Sequence, residues 1–234
     1  MEQKYTPFQA CSDIFFKPNR VFAALTHQHN WSWIPFFLVI LMATMPIYLY
    51  FNFVDFEWYK EIIVQAQAGS KSPAEQAAFA DRLNKSNMQI FSIIGIGFGL
   101  IVVNAIIALY LNIMAKMDEN NVNGFTDWYG FLWWTSMPIV LTGLISLTVI
   151  VLSDNHQLPM ESLSPLTLSY LLGLEATSDW YNLASNIRVE SFWAMYLIAV
   201  GISQWTQLSN KQCWAIAVAP SLIIWGIWTI IKLV

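Results

Sequence analysis

Five long stretches of the chain contain no charged residue and no histidine. They cover residues 34–53, 90–114, 131–152, 192–208 and 214–231. A helix needs about 20 apolar residues, within a range of about 17–25, to cross the hydrocarbon core of a bilayer. The stretches are continuously apolar rather than alternating, so they favour membrane helices over the strands of a β-barrel. The sequence therefore predicts an all-α, polytopic integral membrane protein with five transmembrane helices and short interfacial amphipathic helices between them.

The composition argues against several other classes of protein. Only 11% of the residues are charged, against about 25% in an ordinary soluble domain, so a soluble fold could not cover its surface with polar groups. The net charge is -4 and no run of Lys or Arg is present to neutralise phosphates. We therefore expect the lipid bilayer as the main partner, and no nucleic acid.

Aromatic residues stand at the ends of the uncharged stretches. Trp33, Trp58, Trp128, Trp193 and Trp214 all lie close to a boundary. Indole rings favour the membrane–water interface, where the apolar ring and the polar N–H are both satisfied. These positions support the same five spans.

The charge count does not set the orientation. With the N-terminus in the cytoplasm, five Lys and Arg residues would face the cytoplasm and six the opposite side. Cys11 and Cys213 would then both lie in the cytoplasm, where thiols stay reduced. This favours a cytoplasmic N-terminus and a C-terminus on the other side.

The N-terminal segment 1–33 has its own helical pattern. Apolar residues recur there at helical spacing, and Pro18 predicts two short helices that meet near residues 17–19. One interpretation is an interfacial anchor on an anionic leaflet; the other is packing against the end of the bundle, and the two are compatible. The candidate anchor residues are Phe8, Phe15, Lys17, Arg20 and Phe22.

Two loop segments carry helix-start signals. Ser72, Pro73 and Glu75 form the pattern of a capping box, which predicts a helix that continues through residue 85 into the second span. Ser164 and Pro165 predict a second start before the apolar run 166–174. That run is too short to cross a membrane, so we expect it to be interfacial or re-entrant.

Polar residues line one face of the second span and one face of the third. Asn104 and Asn112 share a face of the second, and Thr135, Thr142 and Ser146 share a face of the third. Polar groups in lipid need partners, so both faces should turn inward. They either form interhelical hydrogen bonds or make a neutral polar lining for a permeant or a lipid headgroup.

Gly95 and Gly99 lie inside the second apolar stretch, with Gly97 between them. A dinucleotide-binding loop needs a preceding strand and an exposed phosphate site, which an apolar span does not provide. A Gly-x-x-x-Gly pair instead lets a second helix approach closely. We therefore expect helix packing at this face.

The sequence contains no recognisable catalytic constellation. No nucleophile elbow, zinc-protease signature or phosphate loop is present, and the spans lack the buried charge that proton-coupled carriers and pumps usually keep. We expect no catalytic residue, no metal and no cofactor, and hence a protein that is not an enzyme.

Four segments, in their order and spacing, carry a family resemblance. They are 13–22 (DIFFKPNRVF), 129–141 around Pro138, 163–168 (LSPLTL) and 193–206. On these segments the chain resembles the Yip family, membrane proteins named for eukaryotic members that bind Rab/Ypt GTPases, and it is similar to the compact bacterial branch. The resemblance covers the whole chain as one domain, 1–234, and implies five membrane helices with a cytoplasmic N-terminus.

These observations together predict a multi-pass protein of a bacterial inner membrane, with its C-terminus in the periplasm. It would act as a membrane-organising or partner-binding module whose partners, besides the bilayer, are other membrane proteins or specific lipids. The alternative is a channel, a facilitator or a lipid scramblase that uses the neutral polar path between helices.

Overall fold

The computed structural model describes residues 5–28, 30–175 and 178–233, so residues 1–4 and 29 of the predicted N-terminal segment lie outside it. Within the described residues the chain forms twelve α-helices, two short 3₁₀ turns and one isolated bridge between Thr167 and Arg188. The helices are α1 (Pro7–Phe16), α2 (Pro18–Leu25), α3 (Trp33–Phe53), α4 (Phe56–Ala68), α5 (Pro73–Ala80), α6 (Lys85–Met114), α7 (Phe125–Thr135), α8 (Pro138–Leu152), α9 (Leu168–Leu171), α10 (Tyr181–Asn186), α11 (Val189–Trp205) and α12 (Asn210–Leu233).

Four helical segments in the described chain are long and apolar enough to cross a membrane. They are α3, α6 with the 3₁₀ turn that follows it (Lys85–Met117), α7 with α8 (Phe125–Leu152), and α12. These segments match four of the five predicted stretches, so the all-α, multi-pass architecture is confirmed. Most of the remaining stretch, 192–208, lies in α11, which ends at Trp205, is 17 residues long and packs against α2, α7, α8 and α12.

The third membrane segment is divided at Pro138. Proline has no backbone N–H and cannot donate to Trp134, so the carbonyl of Trp134 accepts from the amide of Met137 at 3.3 Å in a tighter turn. Ser136 and Met137 therefore separate α7 from α8. The break places the Ser136 hydroxyl against the neighbouring α6, where Asn104 reaches it.

Helices α3 and α8 come into backbone contact at Gly143. A side-chain carbon added there would overlap the carbonyl oxygen of Met42. Helix α8 thus meets α3 with no side chain between them, as is common where small residues mediate packing in membranes.

Gly95 and Gly99 make no such contact. A Cβ on either residue, or on Gly97, would meet open space within the described part of the chain. The helix packing predicted for this glycine pair is therefore not found among the described residues, because α6 turns that face away from its neighbours and buries the stripe Asn104, Ala108 and Leu111 instead.

The two predicted N-terminal helices are present and meet at Lys17, which ends α1 and begins α2. Their inner faces are fully buried through Ala10, Ile14, Val21 and Phe22. We call the end of the bundle that they cover the N-side. The starts of α3 and α7 and the ends of α6 and α11 lie at the same end.

Two predicted helix boundaries are wrong. The capping box at Ser72 and Glu75 is present, but the helix stops at Ala80, and α6 starts separately because Asn84 accepts a hydrogen bond from the amide of Asn87 at 3.1 Å. The second start is at Thr167 rather than Ser164. The hydroxyl of Thr167 caps the short helix α9, which ends just before Gly173 in the left-handed conformation (φ 62°).

Replacing Gly143 with alanine should destabilise the protein by about 1–3 kcal/mol, because the new methyl group meets backbone that cannot rotate away. The matched control is Gly95→Ala, which places the same methyl group in open space and should be neutral or stabilising by about 0.5–1 kcal/mol. The measurement is the midpoint of unfolding in mixed micelles of increasing SDS content, followed by circular dichroism. Equal midpoints for the two variants would contradict the close contact of α3 and α8.

Candidate functional site

The second and third predicted spans are joined at one point by Asn104, one of the predicted polar residues, and Ser136, which the prediction did not include. Asn104 is buried, and its Nδ2 donates to the Ser136 hydroxyl at 3.5 Å, a long hydrogen bond between α6 and the α7–α8 junction. Thr135 is also buried, and its hydroxyl donates to the carbonyl of Leu132 in its own helix at 3.0 Å. Asn112 lies two turns beyond Asn104 and is half-buried.

The remaining two residues of this set lie deeper in α8. The Ser146 hydroxyl donates to the carbonyls of Thr142, at 2.9 Å, and of Leu163 in the loop that follows α8. Thr142 is buried as well, but its hydroxyl has no hydrogen-bond partner among the described residues. Of this set, Asn104 makes a hydrogen bond to another membrane segment, whereas Thr135 bonds within its own helix and Ser146 bonds to its own helix and to the loop after α8. The hydroxyl of Thr142, unpaired among the described residues, is compatible with a polar lining.

The candidate anchor residues of the N-terminal helices divide into an outer and an inner set. Phe8 is 75% exposed, and Phe16, at the other end of α1, is 82% exposed. The Phe15 ring instead packs edge-on against Trp193, with ring centroids 5.5 Å apart. Phe22 is fully buried against Phe131, with ring centroids 4.9 Å apart. Phe22 thus contacts the bundle rather than lipid.

The two basic residues of the set lie at the exposed surface. Arg20 is engaged within the protein, because its guanidinium lies 3.5 Å from Asp13 and 4.3 Å from the centre of the Tyr5 ring. The Tyr5 hydroxyl donates to the same carboxylate at 3.2 Å. Burial, and then the charge of Asp13, raises the pKa of Tyr5 to about 12, so the phenol keeps its proton. Lys17 projects from the junction of the two helices.

An aromatic cluster holds α2 to the bundle. The ring of Phe131 lies within 5.3 Å, centroid to centroid, of Phe22, Trp128 and Trp205. The indole N–H of Trp205 donates to the carbonyl of Phe22 at 2.9 Å. Gly201 of α11 lies beneath this cluster, and a side chain there would overlap the Phe131 ring.

A cavity of about 720 Å³ opens at the N-side, and we call it the N-side cavity. The loop before α3, the first turns of α7, Ile101 of α6 and Trp205 of α11 line it. Its walls include three packed rings. Phe36 and Tyr129 each pack edge-on against Trp133, with ring centroids 4.7 Å and 5.9 Å from that of Trp133, respectively.

A smaller cavity of about 340 Å³ lies at the opposite end of the bundle, between α4, α10 and the loop after α8. Hydroxyl groups line one wall: Ser185 donates to Ser169 at 2.8 Å, and Ser169 donates to Thr167 at 3.1 Å. Arg188 borders this cavity and pairs with the buried carboxylate of Glu190 at 3.2 Å.

Sequence reasoning missed both cavities. Their polar residues come from loops and helix ends that are far apart in the chain, and each residue alone is an ordinary surface residue. The sequence did contain a signal at Glu190. This residue lies just before an uncharged stretch, and an acidic residue at that position favours the start of a helix. None of the residues predicted as a polar lining borders either cavity.

Comparison with known proteins gives one match. The family model described as the Yip1 domain matches residues 12–233, which is nearly the whole chain. No curated protein and no solved structure matches.

Substitution of Thr142 tests whether the polar faces form a lining, because its hydroxyl has no partner among the described residues. Thr142→Val removes a buried hydroxyl without changing the shape of the side chain, so it should be neutral or stabilise the protein by up to about 1 kcal/mol. Ser146→Ala removes a satisfied hydrogen bond and should cost about 1 kcal/mol. Both are measured as SDS unfolding midpoints. A loss for Thr142→Val as large as that for Ser146→Ala would show that its hydroxyl holds a polar partner, as the lining interpretation requires.

Proposed function

The chain belongs to the Yip1 family of membrane proteins, and on that basis we propose that it is a non-enzymatic module that organises the membrane by binding partners at its N-side. The proposed location is a bacterial inner membrane, with the N-terminus in the cytoplasm and the C-terminus in the periplasm. The observation that carries the proposal is the docked N-terminal helix pair, which keeps the Phe8 and Phe16 rings exposed although Ala10 and Ile14 of the same helix are fully buried.

We include α11 as a fifth membrane span. Its first residues lie beside Thr167 at the end of the bundle opposite the N-side, and its last residue, Trp205, contacts Trp128 near the start of α7. Helix α11 therefore runs from one end of the bundle to the other, in the direction opposite to the third membrane segment. Five spans, rather than four, also put the two ends of the chain on opposite sides of the membrane.

The exposed surface of the helix pair is suited to contact with a partner or a lipid headgroup layer. Phe8, Phe16 and Lys17 project from α1 and its junction with α2, while the buried side of the same helices fixes their position. Exposed aromatic side chains close to a basic group are typical of interfacial anchors and of protein interfaces. Because these side chains contribute little to the fold, binding is the role we propose for them.

The alternative, a channel, facilitator or lipid scramblase, is supported by one observation, the unpaired hydroxyl of Thr142 in the membrane interior. Asn104→Leu would remove the polar contact between the two faces. In liposomes, flux of ions, small solutes or fluorescent lipids that is present in the wild type and lost in this variant would support the alternative over the module.

The module role predicts that exposed rings matter for binding and not for stability. Phe8→Ser combined with Phe16→Ser should change the unfolding free energy by less than about 1 kcal/mol, because both rings are already exposed. The same double variant should lose partners that co-purify with the wild type, by about tenfold or more in quantitative mass spectrometry of detergent-solubilised membranes. Deletion of residues 8–25 is a poorer test, since it would uncover the aromatic cluster beneath α2.

The matched control is Val122→Ser, which alters a residue that is 93% exposed in the loop at the same end of the bundle. It should leave both stability and co-purifying proteins unchanged. An identical set of partners for the wild type, the double variant and the control would contradict the proposed role of the helix pair.

A further inference from the structure

The N-side cavity extends from the end of the bundle towards its middle, since Ile101 lies near the middle of α6. It is bordered by the start of α3 and the start of α7, which are the first residues of two membrane segments. Phe36 and Ile101 form an apolar part of its wall, and the Ile101 side chain is 37% exposed. The cavity thus joins a polar rim to an apolar wall.

The cavity contains hydrogen-bond donors that no protein group uses among the described residues. Trp133 is 2% exposed, and its Nε1–H has no acceptor among the described residues. Ser32 accepts the indole N–H of Trp134 at 3.2 Å, which leaves its own hydroxyl proton available. The amides of Gln28 and Asn30 add further donors at the rim. A ligand that carries acceptor oxygens would satisfy this surface.

Gly130 allows Ser32 to take this position. A Cβ on Gly130 would lie 2.9 Å from the Ser32 hydroxyl oxygen, closer than packed atoms allow. The absence of a side chain on α7 therefore lets the loop before α3 close against it and complete the cavity wall.

The charge of the cavity is negative. Asp127 is the one formally charged side chain among the described lining residues. Its Oδ2 accepts the amide of Gly124 at 2.8 Å, and Oδ1 remains for a second partner. A carboxylate in a cavity that Tyr129, Trp33 and Trp133 also line is a combination that attracts a cation, because aromatic faces and a carboxylate both interact favourably with an ammonium group.

We propose that the N-side cavity binds a zwitterionic phospholipid with an ammonium-bearing headgroup. The ammonium group lies at Asp127 and the aromatic rim, the phosphate and ester oxygens face the donors of Ser32 and Trp133, and an acyl chain follows Phe36 and Ile101. An anionic headgroup without an ammonium group is disfavoured, since it would bring its charge next to Asp127. This inference does not depend on the partners of the N-terminal helices, because the cavity is formed within one chain.

The test is native mass spectrometry of the full chain in a maltoside detergent, after removal of bound lipid. Short-chain phosphatidylethanolamine should bind at least about tenfold more tightly than phosphatidylglycerol of the same chain length. Soluble phosphoethanolamine, which lacks the acyl chains, should not compete at the same concentrations. Equal binding of the two lipids, or equal binding of soluble phosphoethanolamine, would overturn the assignment to a zwitterionic lipid.

Two variants connect the binding to the cavity. Asp127→Asn removes the charge but keeps an oxygen for the amide of Gly124, so it should weaken phosphatidylethanolamine about tenfold and leave phosphatidylglycerol unchanged or tighter. Trp133→Phe keeps the ring and removes the N–H, so it should weaken both lipids by a similar factor. Unchanged phosphatidylethanolamine affinity in both variants would contradict the site.

The control for the charge is Asp118→Asn. Asp118 lies in the loop before α7, at the same end of the bundle, and its carboxylate also accepts backbone amides, from Gln207 at 2.8 Å and from Asn120 at 3.0 Å. It does not line the cavity. This variant should bind both lipids as the wild type does, and a tenfold loss here would show that the effect of Asp127→Asn is a general effect of charge.

Discussion

The bundle depends on two kinds of close contact, one between the backbones of two helices and one between a helix backbone and aromatic rings. Burial of apolar side chains alone gives little advantage inside a membrane, because the lipid tails are equally apolar. Two glycines provide this contact. Gly143 brings α8 against α3, and Gly201 leaves room in α11 for the rings of Phe131 and Phe22. The second contact carries more of the structure, since it joins α2, α7 and α11 in one aromatic cluster. The position of the N-terminal helices, and with it the proposed binding surface, follows from the missing side chain at Gly201.

The sequence predicted most of the helices and helix boundaries that depend on local physical chemistry. Uncharged stretches located four membrane segments and α11, Pro18 located the junction of α1 and α2, and Ser72 with Glu75 located the start of α5. The predictions that failed concern residues whose role depends on which neighbouring helix packs against them. The glycines at 95 and 99 resemble a packing motif, but whether a helix packs there depends on which face α6 buries. The prediction of Phe22 as an anchor failed in the same way. Its spacing shows that it lies on an apolar face, and only the tertiary structure shows that Phe131 covers that face.

The candidate sites were harder to predict than the fold because they are assembled from distant segments. The polar faces of α6 and α8 were visible as periodic patterns, and the structure places Asn104 beside Ser136. The N-side cavity instead combines a loop before α3, the start of α7 and single residues of α6 and α11. No one of these segments has a pattern of its own. Trp133 could be predicted as a membrane residue, but its unpaired N–H appears only when its neighbours are in place.

The docking of α2 has a consequence for how the protein is made. The carbonyl of Phe22 is held by an indole 183 positions later in the chain, and the Phe22 ring rests on a residue of α7. A ribosome delivers α1 and α2 long before it delivers these contacts. The apolar side of the helix pair therefore lacks these contacts until both α7 and α11 have been made. The docking of α2 is thus one of the last steps that complete the bundle.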